Sequence, residues 1–214
     1  MSATSVALFI FTLGLACGSS IADVINVPGD HPTIQAAVDV AADGDTILVA
    51  PGTYFAGQKA DEVVNLLGKS IRLESTDGPQ ATIIDGENSH RGLLGNSGEG
   101  LDTVVAGFTF TNCRTADGAG GRFTDASPTI RNCVFIDNNG QGLHLVNSSA
   151  IIENCIFQGN DAPYGGGLQA IESNPVIDFC EFIDNTALIS GGGCHFTFCG
   201  GTITNTIFDR NRVQ

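Results

Sequence analysis

The 214-residue chain has no Trp, one Met and two Tyr, and only nine of its residues are Lys or Arg against 23 Asp and Glu. A formal net charge of −14 excludes the basic surface that nucleic acid or an anionic membrane would require. It also disfavours direct binding of a polyanion unless a cation intervenes. No Cys-x-x-Cys pair is present, which argues against a zinc site. Beyond the first twenty-odd residues no apolar run is long enough to span a bilayer as a helix.

What is abundant is Gly, 28 residues, together with Asn and β-branched residues, the balance of a β-rich solenoid. The opening segment stands apart. Residues 5–22, SVALFIFTLGLACGSSIA, form an apolar run ending in small residues, with Ser20, Ile21 and Ala22 as a cleavage site. The expectation is a signal peptide over 1–22, a mature domain over 23–214 and a secreted or cell-surface protein with no membrane span in its mature part. Cys17 offers lipid anchoring as a lesser alternative.

The mature chain repeats itself. GFTFTNC, NCVFIDN, NCIFQGN, FCEFIDN and NTIFDRN align Phe110, Phe135, Phe157, Phe182 and Phe208 at spacings of 25, 22, 25 and 26 residues. A period in the low twenties is the signature of a stacked-coil architecture. Three residues after Phe stand Asn138, Asn160, Asn185 and Asn211; two before it stand Cys133, Cys155 and Cys180. In a strand i and i+2 share a face, so Cys and Phe point inward together and stack coil upon coil. The Asn column falls where the chain bends and can form an amide ladder. Clusters at Gly120–Gly121, Gly140 with Gly142, Gly165–Gly167 and Gly191–Gly193 mark a second corner. Strands after the glycines (142–146, 167–171, 193–197) and after the following loop (129–132, 151–154, 176–179, 202–205) complete three strands per coil. The expected fold is all-β, a right-handed parallel β-helix. A short amphipathic helix with Ile34, Val38 and Ala41 on one face and Thr33 as N-cap would shield its first coil. The far end is expected to pack on further repeats or on another chain.

The segment VINVPGDHPTIQAAVDVAADGDTILVAPGTYF (24–55), with KSIRLES (69–75) and ATIIDG (81–86), resembles the opening of secreted bacterial β-helix proteins of the pectin-lyase-like superfamily. The later GGGL and Phe-x-x-Asn turns resemble the repeats of polymorphic outer-membrane proteins. The first resemblance implies binding or cleavage of carbohydrate; the second implies surface display and adhesion.

Catalytic signatures of the related enzymes are missing. No Arg-x-Pro-x-x-Arg, Asn-Thr-Asp, Gly-His-Gly or Gln-Asp motif occurs, and DFCEFI (178–183) is already spent on core positions. No catalytic residue is therefore assigned, and a polysaccharide lyase, hydrolase or esterase is the alternative to a binding or adhesive protein. The candidate binding surface is the column Phe123, His144, Gln169 and His195, expected on the outer face of the strand after the glycines. There an aromatic ring, an amide and two imidazoles roughly 10 Å apart would form a shallow sugar-binding stripe. A second outward column, Arg131, Glu153, Asp178 and Thr204, suggests a cross-strand ion pair. The corner acids Asp137, Asp161, Asp184 and Asp209 lack the spacing of a Ca²⁺ motif, so no cofactor is expected. Six Cys follow the leader; Cys194 and Cys199 are near enough in sequence to staple a bend as a disulfide, whereas Cys133, Cys155 and Cys180 read as core fillers.

Overall fold

The computed structural model describes residues 22–57 and 60–214. The expected leader falls outside them except for Ala22. No described helix is long and apolar enough to cross a membrane.

Each coil runs through three parallel sheets in turn. The first sheet has eight strands, from Val24–Val27 to Thr202–Thr204; the second has seven, from Gly52–Tyr54 to Ile207–Asp209; the third has six, from Glu62–Asn65 to Cys194–Thr197. Strands of successive coils pair in register, so one coil's grammar is copied onto the next. Phe110, Phe135, Phe157, Phe182 and Phe208 face one another through the second sheet. Their rings stack with centroids 4.8, 5.0, 4.6 and 4.8 Å apart and planes within 9° of parallel.

The glycine corner is explained by those rings. Gly92, Gly120, Gly142, Gly167 and Gly193 lie opposite the Phe column, and a Cβ on Gly167 would stand 2.6 Å from the Gly193 carbonyl and 2.7 Å from Phe182 Cδ1. Real Cβ atoms do not approach so closely, so the column needs glycine for space.

The Asn column is a buried ladder. Nδ2 of Asn138, Asn160 and Asn185 each donates to Oδ1 of the next coil's Asn, at 2.9 Å every time. Each also donates to a Phe carbonyl of the preceding coil, at 3.1, 2.9 and 2.8 Å. The ladder residues themselves are not left-handed. Positive φ falls one place earlier, at Asp137 (53°) and Asp184 (53°), and again at Asn132 (52°) and Asn154 (50°) just before the cysteines. The thiols close that second bend: Sγ of Cys133, Cys155 and Cys180 each lies 3.3 Å from the carbonyl two residues back. Thr206 places a hydroxyl on the equivalent carbonyl at 2.7 Å, and Ser173 does the same at the bend between third and first sheets. The cysteines are thus corner residues as well as core fillers.

At the start of the chain the helix Ile34–Val40 packs on the strands Val24–Val27, Thr46–Val49 and Glu62–Asn65. Thr33 caps it, its Oγ1 accepting from the Ala36 N–H at 3.1 Å, and Ile34, Ala37 and Val38 enter the core. One expectation changes and one element is new. Between second and third sheets Asp161–Tyr164, Thr186–Ser190 and Arg212–Val213 form a fourth parallel sheet, continued by bridges from Arg114 to Asn139 and from Asn139 to Asp161. Arg131 pairs not with Glu153 but with Glu74, two coils away, at 3.0 Å. The intervening coil presents Ala106 in that register, too short to obstruct the guanidinium.

Candidate functional site

The outward column of the third sheet is the first place to look. In the observed register Leu94, Arg122, His144, Gln169 and His195 are successive partners. Phe123 pairs with Leu145 and is fully buried. The correction has a simple origin: the coils align on Gly120 and Gly142, and two places on stand Arg122 and His144. A shift of one residue in a strand moves a side chain to the opposite face.

The middle of the column is covered rather than displayed. His144 is 5% exposed and Gln169 8%. The Gly118 N–H donates to Gln141 Oε1 at 2.8 Å, and Gln141 Nε2 donates to Gln169 Oε1 at 2.7 Å. Gly118 sits so close that a Cβ there would lie 2.9 Å from His144 Cβ. Both ring nitrogens of His144 lack a partner among the described residues. Burial pushes its pKa down to about 4, with Arg122 and Arg91 adding to the effect and Asp117 opposing it. An imidazole in that state is neutral and shut in at ordinary pH, so it neither reads a sugar nor moves a proton to one. Of the four residues expected there, only His195 reaches the surface, half-buried, with its ring 5.1 Å from that of Tyr164.

Cys194 and Cys199 are both free thiols. The strand Cys194–Thr197 holds them apart: its extended residues alone span roughly 10 Å, beyond the Cα separation of roughly 7 Å that a disulfide can bridge. Cys199 instead bonds the Thr197 and Ala170 carbonyls, each at 3.2 Å. Cys113 is buried, and burial raises its pKa to about 12, which keeps the thiol protonated and unreactive.

Two of the surface grooves among the described residues differ in chemistry and lie along the coils. One, of about 640 Å³, runs beside the fourth sheet and is lined by Asn88, Ser89, Arg114, Thr115, Asn139 and Asp161 among others. The bridges place Arg114, Asn139 and Asp161 on three consecutive coils, so a cation, an amide and a carboxylate follow one another along the solenoid axis. The regular columns gave no signal for these residues, because they sit in the stretch whose length changes from coil to coil. The other groove, of about 220 Å³, lies over the edge of the second sheet between Asn132, Val134, Asn154, Ile156, Phe179 and Glu181.

Neither groove presents an acid–base pair. Asp184 is held by Arg210 at 2.8 Å, and that bond keeps its carboxyl below the usual range. Asp178 accepts from Thr204 Oγ1 at 2.7 Å and from Asn205 Nδ2 at 2.8 Å, and both bonds lower its pKa. Among the described residues no group of three or more His, Cys, Asp or Glu is placed to hold a metal ion. What the arrangement offers is hydrogen bonding and apolar contact along a rigid, periodic surface.

Comparison with known proteins agrees with the architecture. The model of the right-handed β-helix region family matches residues 68–214. No curated protein and no solved structure matches the chain.

Proposed function

The chain belongs to the right-handed β-helix family, and from that premise we propose that it is a secreted or surface-displayed bacterial protein that binds carbohydrate or another extracellular polymer without cleaving it. The pectin-lyase-like resemblance, the leader over 1–22 and the helix closing the first coil are parts of that reading. The observation that carries it is the open groove in which Arg114, Asn139 and Asp161 stand on consecutive coils. A polymer laid along the axis meets a fresh polar side chain at every coil, about 4.8 Å apart, and each adds a hydrogen bond without rearrangement of the scaffold.

The test is affinity electrophoresis of the mature chain through gels containing pectin, pectate, alginate or neutral plant glycans, with reducing ends assayed in parallel. Retardation on at least one polymer, weakened by Arg114→Ala and Asp161→Asn and unaccompanied by new reducing ends or unsaturated products, is expected. Turnover would replace this reading with that of a polysaccharide-active enzyme.

A second reading, an adhesive or structural module that stacks on further coils, has its own support. Ile203, Phe208 and Val213 of the last coil are exposed although their partners in the preceding coil, Ile177, Phe182 and Ala187, are buried in the core. Phe208 continues the ring stack yet remains 48% exposed.

A further inference from the structure

The bend before each Cys position holds a left-handed residue, and in three coils that residue is Asn: Asn132, Asn154 and Asn205. In the fourth it is Phe179, at φ 49° and 62% exposed. Asn tolerates this conformation well; a bulky aromatic does not, and its presence there is a local cost to the fold. Phe198 shares the strain at φ 54° and is 87% exposed. What separates the two is what they overlook. Phe179 forms one wall of the 220 Å³ groove, whose floor is Val134 and Ile156 and whose side is the Asn132–Asn154 amide pair. Phe198 does not line that groove.

We propose that the Phe179 groove is a binding subsite for a neutral glycan, one pyranose face lying on the Phe179 ring and its hydroxyls meeting the two amides. This rests on the polymer-binding reading and names the chemical class that a second site on the same surface takes. Asn154 Nδ2 donates to Asn132 Oδ1 at 2.7 Å, which orients both amides. Asn154 Oδ1 and Asn132 Nδ2 are then left, among the described residues, as an acceptor and a donor for hydroxyl groups. An apolar floor with a few fixed polar groups at its rim suits a molecule with one C–H face and a hydroxyl edge. Among the described residues that line the groove, Glu181 is the one charged side chain and no cation is present. An anionic chain would therefore meet repulsion, reinforced by the overall charge of −14.

The deciding variant is Phe179→Asn, which restores the residue of the neighbouring coils. It should raise Tm by about 2–4 °C through relief of the strained bend. It should also weaken binding to soluble xyloglucan, galactomannan or mixed-linkage β-glucan at least tenfold by affinity electrophoresis or calorimetry. Phe198→Asn relieves the same strain and should leave affinity within twofold. Unchanged affinity in Phe179→Asn, or equal loss in both variants, overturns the proposal. Retardation of the wild type by acidic glycans alone overturns it too, while leaving the polymer-binding reading intact. If no glycan of either kind is bound, the subsite falls and with it the carbohydrate form of the polymer-binding reading.

Discussion

Replacing Asn160 by Ala probes the interior of the amide ladder, where the consequences can be counted. Asn160 is fully buried. Its Nδ2 donates to the Phe135 carbonyl and to Asn185 Oδ1, both at 2.9 Å. Its Oδ1 accepts from Asn138 Nδ2 at 2.9 Å and from the Asn138 backbone N–H at 3.2 Å. Truncation leaves two donors and two acceptors facing a void too small to admit bulk water. A buried hydrogen bond contributes about 1 kcal/mol net, and stranding its partner costs more, so the loss should be about 3–5 kcal/mol. Against a total stability of about 5–15 kcal/mol that is a large fraction. The measurement is urea unfolding followed by far-UV circular dichroism, with amide exchange resolving whether coils on either side open first. Asn160→Asp sharpens the test. Its carboxyl would face the Phe135 carbonyl and Asn185 Oδ1, two acceptors, so the folded state would favour the protonated form. A folded pKa above the unfolded value means stability held at low pH and lost as pH rises from about 4. A loss below about 1 kcal/mol in the Ala variant, or an Asp variant more stable at pH 7 than at pH 4, would refute the ladder as a source of stability.

Three further outcomes follow from the same coordinates. Phe157→Ala, in the middle of the ring stack, should cost about 3–5 kcal/mol, and Phe208→Ala at its exposed end about 1–2 kcal/mol, in denaturant titrations. Gly167→Ala puts a methyl group against the Gly193 carbonyl and the Phe182 ring and should prevent soluble folding; Gly100→Ala, which meets nothing within 4 Å, should be neutral to slightly stabilising. The folded pKa of His144, about 4, lies below its unfolded value, so stability should be full above about pH 6.5 and fall by about 3 kcal/mol as pH drops towards 4. In His144→Gln that slope should flatten by the same amount, as read from Tm against pH.

The coil is legible in the residues alone. The Phe, Asn, Cys and Gly columns were readable because each is a demand made once per turn by the same local geometry: an inward pair, a bend, a close approach. Thr33 as cap and Ile34 and Val38 as buried positions were likewise local facts. Which residues remain on the surface depends on how the coils and their loops pack together. Phe123 went inward because coils pair on their glycines, and pairing register is a relation between residues some 22 to 28 apart in the chain. His144 and Gln169 were covered by the loop around Gly118, whose length and path no column constrains. Arg131 found Glu74 across a coil because Ala106 happened to stand between them. The fourth sheet, and with it the groove of Arg114, Asn139 and Asp161, arose where coils differ in length and periodic reading has nothing to align. A repeat specifies its core because every coil must bury the same face, whereas its binding surface is built from what the coils do not share.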